Sequence, residues 1–242
     1  MPKTTYPAAE LGHVIGEFGW NKKRARFLLT LHGLLLPVTL IACLFLIGIP
    51  AFFLSLWLVI RSTRRLKSSQ TIVSLYEKGL IDNRNDQSLL LLYRDISKIY
   101  TSIVSGGGQT FYDYTVHTHS AKPSKFGIDI ANPKQFGDAI WEGMLATQLQ
   151  QHLTDLDNGA SISFDRLNLS AKGLALPNQT LDWQDFGHAE IKRSKIGKRV
   201  THRLEIYQKD QSRLWATFER NQFPNLFLFF NLVERIRQPG TA

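Results

Sequence analysis

The stretch Lys192–Arg203 gathers six cationic donors, Lys192, Arg193, Lys195, Lys198, Arg199 and Arg203, with His202 among them. A hairpin turning near Ile196-Gly197 would gather these cations at one end of a sheet. Several convergent N–H donors are what an anionic headgroup requires; the plainer alternative is a basic hairpin bathed in solvent or facing a membrane. The matching stretch of the preceding half, Tyr100–Tyr112, contains no Lys or Arg.

Other residue types carry less. His117 and His119 share one face of a strand, but zinc needs further ligands and the only cysteine is Cys43, so the pair reads as surface histidines and no metal or cofactor is expected. Asp95 and Asp185 each stand two residues after an aromatic residue and directly before an apolar one, a position where a carboxylate accepts backbone N–H groups in a turn; neither has the second carboxylate of an acid–base pair nearby in sequence. The run Gly106–Gly108 lacks the Gly-Lys-Ser/Thr of a phosphate loop, and no G-x-S-x-G, H-E-x-x-H, C-x-x-C or EF-hand spacing occurs. The expectation is a binding module, not an enzyme.

What positions these residues begins with Phe27–Ile60, 34 residues without Asp, Glu, Lys or Arg. As one straight helix this run would reach about 51 Å, well past the ~30 Å hydrocarbon core of a bilayer. Gly48-Ile49-Pro50 supplies a break, since proline lacks a donor and disfavours helix in the residue before it. The segment therefore reads as a membrane hairpin, with legs Phe27–Ile47 and Pro50–Lys67. Lys22, Lys23, Arg24 and Arg26 form one basic flank, Arg61, Arg64, Arg65 and Lys67 the other, and Trp20 and Trp57 suit the headgroup zone. Positive flanks favour the cytoplasm, so both chain ends are expected there. The rival is a single span at Phe27–Ile47, which leaves the second flank on the wrong side. The run starts late, is too long and lacks a cleavage pattern for a signal peptide.

Charge supports this division. The chain carries 29 Lys and Arg against 20 Asp and Glu, yet residues 1–67 hold nine of the former and only two of the latter. The surplus sits on the membrane flanks, which argues for anionic lipid and against nucleic acid, whose binders place basic charge on a folded face.

Beyond Ser68 the apolar pattern turns to a period of two, with strands expected at Thr71–Tyr76, Leu89–Tyr93, Ile96–Val104, Phe111–Thr118 and Phe126–Ile130. It then shifts to a period near 3.6 from Pro133 to about Leu156, with Asn132 as N-cap and Phe136, Ile140, Met144 and Leu145 on one face. The scheme repeats. Strands are expected at Ile162–Leu169, Thr180–Trp183, Ala189–Lys195, Val200–Tyr207 and Arg213–Phe218, and a closing helix at Pro224–Arg237. Lys78-Gly79-Leu80 aligns with Lys172-Gly173-Leu174, and Tyr93-Arg94-Asp95-Ile96 with Trp183-Gln184-Asp185-Phe186, so a unit of about 90 residues is duplicated. The expected boundaries are a loosely ordered lead-in at 1–21, the hairpin at 22–67, one unit at 68–158, a second at 159–238 and a tail at 239–242.

Each unit reads as a bent antiparallel sheet with one amphipathic helix to close it. This resembles the pleckstrin-homology-like fold. The whole chain looks like bacterial membrane proteins in which a basic-flanked hydrophobic hairpin precedes tandem domains of that kind, with the Lys-Gly-Leu strand end and the x-Asp-apolar step quoted above. The resemblance implies an α+β fold and membrane association without an activity. The expected role is a membrane-tethered scaffold presenting two such domains for a protein partner. The alternatives are an accessory subunit of a larger membrane complex, with Thr30, His32, Gly33, Thr39 and Gly48 facing protein, or a binder of anionic headgroups through the second basic hairpin.

Overall fold

The computed structural model describes residues 8–42, 49–67, 70–84, 88–106, 108–119, 122–196, 199–209 and 213–237. After a single helical turn, α1 (Ala8–Leu11), the chain forms a strand, β1 (Val14–Phe18), where the sequence suggested a loose lead-in. Two helices follow, α2 (Lys22–Ala42) and α3 (Ile49–Lys67), packed on each other. Only then comes β2 (Val73–Tyr76), and it pairs with β1: Phe18 lies opposite Val73, Glu17 opposite Ser74 and Val14 opposite Tyr76. The helix pair is thus inserted into the first β-hairpin of the fold and does not precede it.

β3 (Gly79–Asp82) and β4 (Leu89–Leu92) complete a four-stranded antiparallel sheet in the order β1-β2-β3-β4. β5 (Ile96–Gly106), β6 (Gln109–Thr118) and β7 (Ser124–Phe126) follow, then α4 (Pro133–Asp157). The second half repeats this order. β8 (Ser161–Phe164), β9 (Leu167–Ser170), β10 (Gly173–Leu176) and β11 (Gln179–Asp182) form another four-stranded antiparallel sheet, followed by β12 (Phe186–Ile196), β13 (Arg199–Gln208), β14 (Leu214–Glu219) and α5 (Leu226–Arg237). The expected single strand Ile162–Leu169 is in fact two, split by Asp165, which takes a left-handed φ of 59°. Asp tolerates that conformation, so Asp165-Arg166 turns the chain without a glycine to announce it.

The repeat holds at the level of backbone pairing. Leu75 opposes Leu80 in one half as Leu169 opposes Leu174 in the other. Ile96↔Thr118 begins a ladder that ends at Gly106↔Gln109, and 90 residues later Phe186↔Gln208 begins one that ends at Ile196↔Arg199, each with its irregularity at the first step. Two joints recur. The Tyr93 and Trp183 amides donate to the Lys78 and Lys172 carbonyls (3.0 and 3.3 Å), and the carbonyls of Asp95 and Asp185 accept from His119 and Lys209 (3.3 and 2.8 Å). Both aspartates hold their turns through their backbone carbonyls, and the Asp95 carboxylate lies 3.7 Å from Arg94. Gly79 and Gly173 are needed at the hairpins because a Cβ would overlap the Leu91 and Leu181 carbonyls.

In unit one the connection between the first two strands is residues 19–72; in unit two it is Asp165 and Arg166. A flexible connection of the former length would cost roughly 3 kcal/mol more in closure entropy than a two-residue turn. The helix pair avoids most of that cost because its two free ends meet. Its surface is the reverse of a soluble one. Only Ala25, Ser55 and Ser62 are buried, whereas Leu34 (72% exposed), Phe27, Val38, Ile41, Phe53 and Leu54 point outward. Small residues let the two backbones approach, and Thr39 and Thr63 return their hydroxyls to carbonyls of their own helices. Pro37 lies within α2 without ending it. Of the residues considered for a protein-facing seam, Thr30 and Gly33 are exposed, His32 and Thr39 are half-buried, and Gly48 lies outside the described residues, as does Cys43.

One continuous apolar core runs through both units, from Phe18, Leu75 and Tyr93 to Phe136, Ile140 and Trp141 of α4, and on to Phe164, Leu204, Phe223 and Phe229. α4 packs on unit one so closely that a Cβ on Gly137 or Gly143 would overlap the rings of Tyr114 and Tyr93. Asn132 precedes it in a left-handed conformation (φ 52°) with no side-chain cap, which corrects the expected N-cap role. The units are joined where β13 meets β5 at Val200↔Ser105, where Trp141 packs at a tilt against Phe227 at 5.2 Å between α4 and α5, and where Asp165 takes Lys98 and the Tyr100 hydroxyl. Asn225 (φ 50°) clasps them: its Oδ1 accepts from Ile99 N (2.8 Å) and its Nδ2 donates to the Ser97 carbonyl (2.8 Å).

Asn225→Ala should therefore cost roughly 2–4 kcal/mol, because it strands the buried Ile99 N–H and places a Cβ residue without a local hydrogen bond in the left-handed region. Thermal unfolding in detergent reads this. A midpoint within a degree of the parent would show that the clasp carries no stability.

Candidate functional site

The helix pair is fastened to unit one at a single junction. Asn21 caps α2, its Oδ1 accepting from Arg24 N (3.1 Å), while its Nδ2 donates to the Ile128 carbonyl (3.0 Å) and its own amide to the Asp129 carbonyl (2.8 Å). Asp129 Oδ1 receives Arg24 Nη1 at 2.7 Å and Arg65 Nη1 at 3.0 Å. The Arg65 guanidinium also stands 4.2 Å over the Trp20 ring, and Trp20 is bridged to Ile130. The start of α2 and the end of α3 thus meet at one carboxylate, and the helices run antiparallel. Burial pushes the Asp113 carboxyl beside this cluster above its ordinary range, Asp129 adds to the rise, and the Ile128 N–H and Arg24 oppose it.

This changes the expected assignment of the flanks. Arg24, Arg65 and Trp20 are engaged with the protein and only partly exposed, while Lys22, Lys23, Arg26, Arg61, Arg64 and Lys67 remain exposed at the helix ends. Trp57 is exposed, with the Arg61 guanidinium 5.0 Å over its ring.

The basic hairpin divides by face. Register sets Lys192 opposite Arg203, Arg193 opposite His202 and Lys195 opposite Val200. With side chains alternating along each strand, Lys192 and Arg203 share one face, and Arg193, Lys195 and His202 share the other. On the first face acids meet the cations: Lys192 Nζ lies 3.3 Å from Glu205 and 3.2 Å from the Tyr207 hydroxyl, which itself donates to Glu205, and Arg203 Nε donates to Glu219 at 2.7 Å. The Tyr207 hydroxyl, with Lys192, holds the Glu205 carboxyl below its usual range. The expected convergence of six cations on one anion is not what the fold builds, because Glu205 and Glu219 reach the hairpin only through strand pairing. Lys198 lies outside the described residues, and of Arg199 only the backbone is described.

The second face opens on a cleft of about 580 Å³ between the β5–β6 and β12–β13 hairpins. Unit one contributes Ser105, Gln109, Thr110 and Tyr112; unit two contributes Arg193 and His202, and among the described residues no Asp or Glu lines it. Burial holds the His202 imidazole below its ordinary pKa, Arg220 and Arg193 depress it further, and the Ile103 carbonyl works the other way. Arg220, in the turn Arg220–Gln222 after β14, is itself lowered by burial, and its Nε is buried without a hydrogen-bond partner. Sequence reasoning passed over Arg220 because it stands alone in the chain; no local pattern marks it. Elsewhere His117 stacks edge-on against Tyr100 at 5.4 Å, and Trp183 donates Nε1 to the Ser170 carbonyl (3.0 Å).

Two repeats of seven antiparallel strands and a helix among the described residues, with an apolar helix pair laced into the first, define the class. Residues 5–241 match the model of DUF6585, a family of unknown function, and the chain belongs to that family. No curated protein matches it.

Two outcomes follow from the electrostatics. Asp129→Asn should leave each unit folded but free the helix ends, seen as faster proteolysis at residues 19–24; cleavage at the parent rate would exclude the clamp. For His202 the folded-state pKa is depressed, so the unfolded chain binds the proton more tightly, and stability present above about pH 6.5 declines as pH falls below it. His202→Gln should flatten part of the fall in unfolding temperature between pH 7.5 and 5.5. His152, depressed by its own burial against the pull of Asp155, keeps the remainder.

Proposed function

We propose that this chain is a non-enzymatic membrane-tethered scaffold: α2 and α3 enter the bilayer as a hairpin and hold two pleckstrin-homology-like units at the cytoplasmic surface, where they engage a protein partner. Among the described residues one helix, Lys22–Ala42, is long and apolar enough to cross a membrane. The observation that carries the reading is the β1–β2 ladder. If α2 enters a bilayer, β2 must still hydrogen-bond to β1, so the chain has to return through α3 to the face it left. A single span would pull the two strands to opposite sides, and a leader removed after α2 would take β1 with it.

The side chains fit lipid. Between its basic flanks the large exposed side chains of the pair are apolar, mostly Leu, Ile, Val and Phe, and its buried residues are Ala25, Ser55 and Ser62, which suits an apolar solvent outside and close packing within. The apolar part of α3, Ile49–Ile60, rises only about 18 Å, so Arg61 and Arg64 would extend their stems along acyl chains and keep their charges at the phosphates. Positive flanks at both helix ends support the cytoplasmic side for the units. The repeated order of four strands, three strands and a helix supports the pleckstrin-homology-like reading, and the strand edges and helix-side grooves of such units accept partner segments.

The test is topology. In a Cys43→Ser background, single cysteines at the exposed Glu10 and Glu234 should react with an impermeant maleimide from the same face of sealed, oriented vesicles. Labelling from opposite faces would falsify the hairpin, and release of the protein by carbonate would remove the membrane altogether.

A further inference from the structure

Among the described residues, the face of the basic hairpin turned to the cleft carries its cations without an acid partner. Lys192 and Arg203 have their carboxylates on the opposite face. Arg193 has no ion pair among the described residues. Arg220, half-buried beside His202 and Tyr112, keeps its Nε buried without a hydrogen-bond partner, and burial lowers its pKa. A guanidinium withdrawn from water without an acid, as at Arg220, is costly, and a nearby anion relieves the cost.

We infer that this cleft binds a phosphate group, with Arg193 supplying the charge, His202, Ser105, Thr110 and Gln109 the surrounding polar atoms, and Arg220, beside His202 and Tyr112, adding to the positive potential from outside the lining. The chemistry favours phosphate over carboxylate. A guanidinium presents a planar fork of donors, and a phosphate offers enough oxygens to take that fork and still accept from hydroxyls and an amide, where one carboxylate is filled by one arginine. The hydroxyls are in place: Ser105 Oγ and Thr110 Oγ1 lie 2.9 Å apart across β5 and β6. Neither unit builds the site alone. The β5–β6 hairpin lines the cleft with neutral donors, the β12–β13 hairpin brings Arg193 and His202, and Val200↔Ser105 sets them side by side. His202 reports occupancy, because an adjacent anion favours its protonated form against the two arginines that now oppose it. The site stands whether or not the helix pair crosses a bilayer.

The experiment uses the full chain in uncharged detergent micelles, titrated with inorganic phosphate at constant ionic strength, and follows heat and the His202 imidazole signals. Saturable binding with a rise in the His202 pKa is expected. Arg193→Gln should weaken it by about tenfold or more, and Lys192→Gln, whose side chain faces the other way, should not. Arg220→Gln, which alters only the potential beside His202, should weaken it less than Arg193→Gln; because Arg193 is exposed and its replacement leaves the core intact, the comparison with Lys192→Gln decides even if the Arg220 variant fails to fold. Absence of saturation, equal loss in Arg193→Gln and Lys192→Gln, or an unmoved His202 would each overturn the site. Bilayer discs with and without phosphatidic acid separate the sources. Competition between that lipid and free phosphate identifies a membrane headgroup, and an unchanged phosphate affinity identifies a soluble phosphate ester; either result confirms the cleft.

Discussion

Two strands that are hydrogen-bonded neighbours in the sheet, yet separated by residues 19–72 in the chain, constrain everything attached to them. The amides and carbonyls of β1 and β2 have each other as partners, and backbone groups in a sheet are not left unpaired without a penalty comparable to a lost hydrogen bond. Whatever α2 and α3 do, their outer ends must stay a strand spacing apart. The Asp129 clamp serves that requirement. Each ion pair is partly exposed and on its own contributes little, but Arg24 and Arg65 share one carboxylate oxygen, and Asn21 ties the same loop to the first turn of α2. The helix pair is thereby a rigid insertion into a β-turn.

The same constraint explains why the two halves look less alike in sequence than in backbone pairing. In unit two the turn between the first two strands is Asp165-Arg166, and in unit one that turn is the helix pair. Past this point the halves run in step, with ladders 90 residues apart and the same joints between strands. Duplication also supplied the seam. Asn225 stands before α5 as Asn132 stands before α4, both left-handed, but only Asn225 spends its amide on the other unit. The units consequently share a core and a strand contact.

Charge follows a similar logic. A basic hairpin met in isolation looks like a uniform patch, but pairing with β14 and the alternation of side chains sort it into a neutralised face and a face turned to the inter-unit cleft. A carboxylate on a neighbouring strand is invisible to a reading along the chain, and so is a lone arginine that folding brings under a histidine.

From the sequence alone the apolar run, its basic flanks, the break at Gly48-Ile49-Pro50 and the duplicated unit could be read, because each rests on local properties: uninterrupted hydrophobicity, charge at its ends, a residue that cannot donate, and motifs that recur at fixed spacing. The face of α4 formed by Phe136, Ile140 and Met144 was legible for the same reason, since helical period is local. The role of Val14–Phe18 was not, because a five-residue strand centred on Gly16 and flanked by Gly12 and Gly19 has no signal until its partner, beyond both helices, is known. The split at Asp165 was hidden by a turn that needs no glycine. Which cations are free and which are paired was decided only by the tertiary structure, since that depends on strand register and face, and register couples residues that the chain keeps far apart.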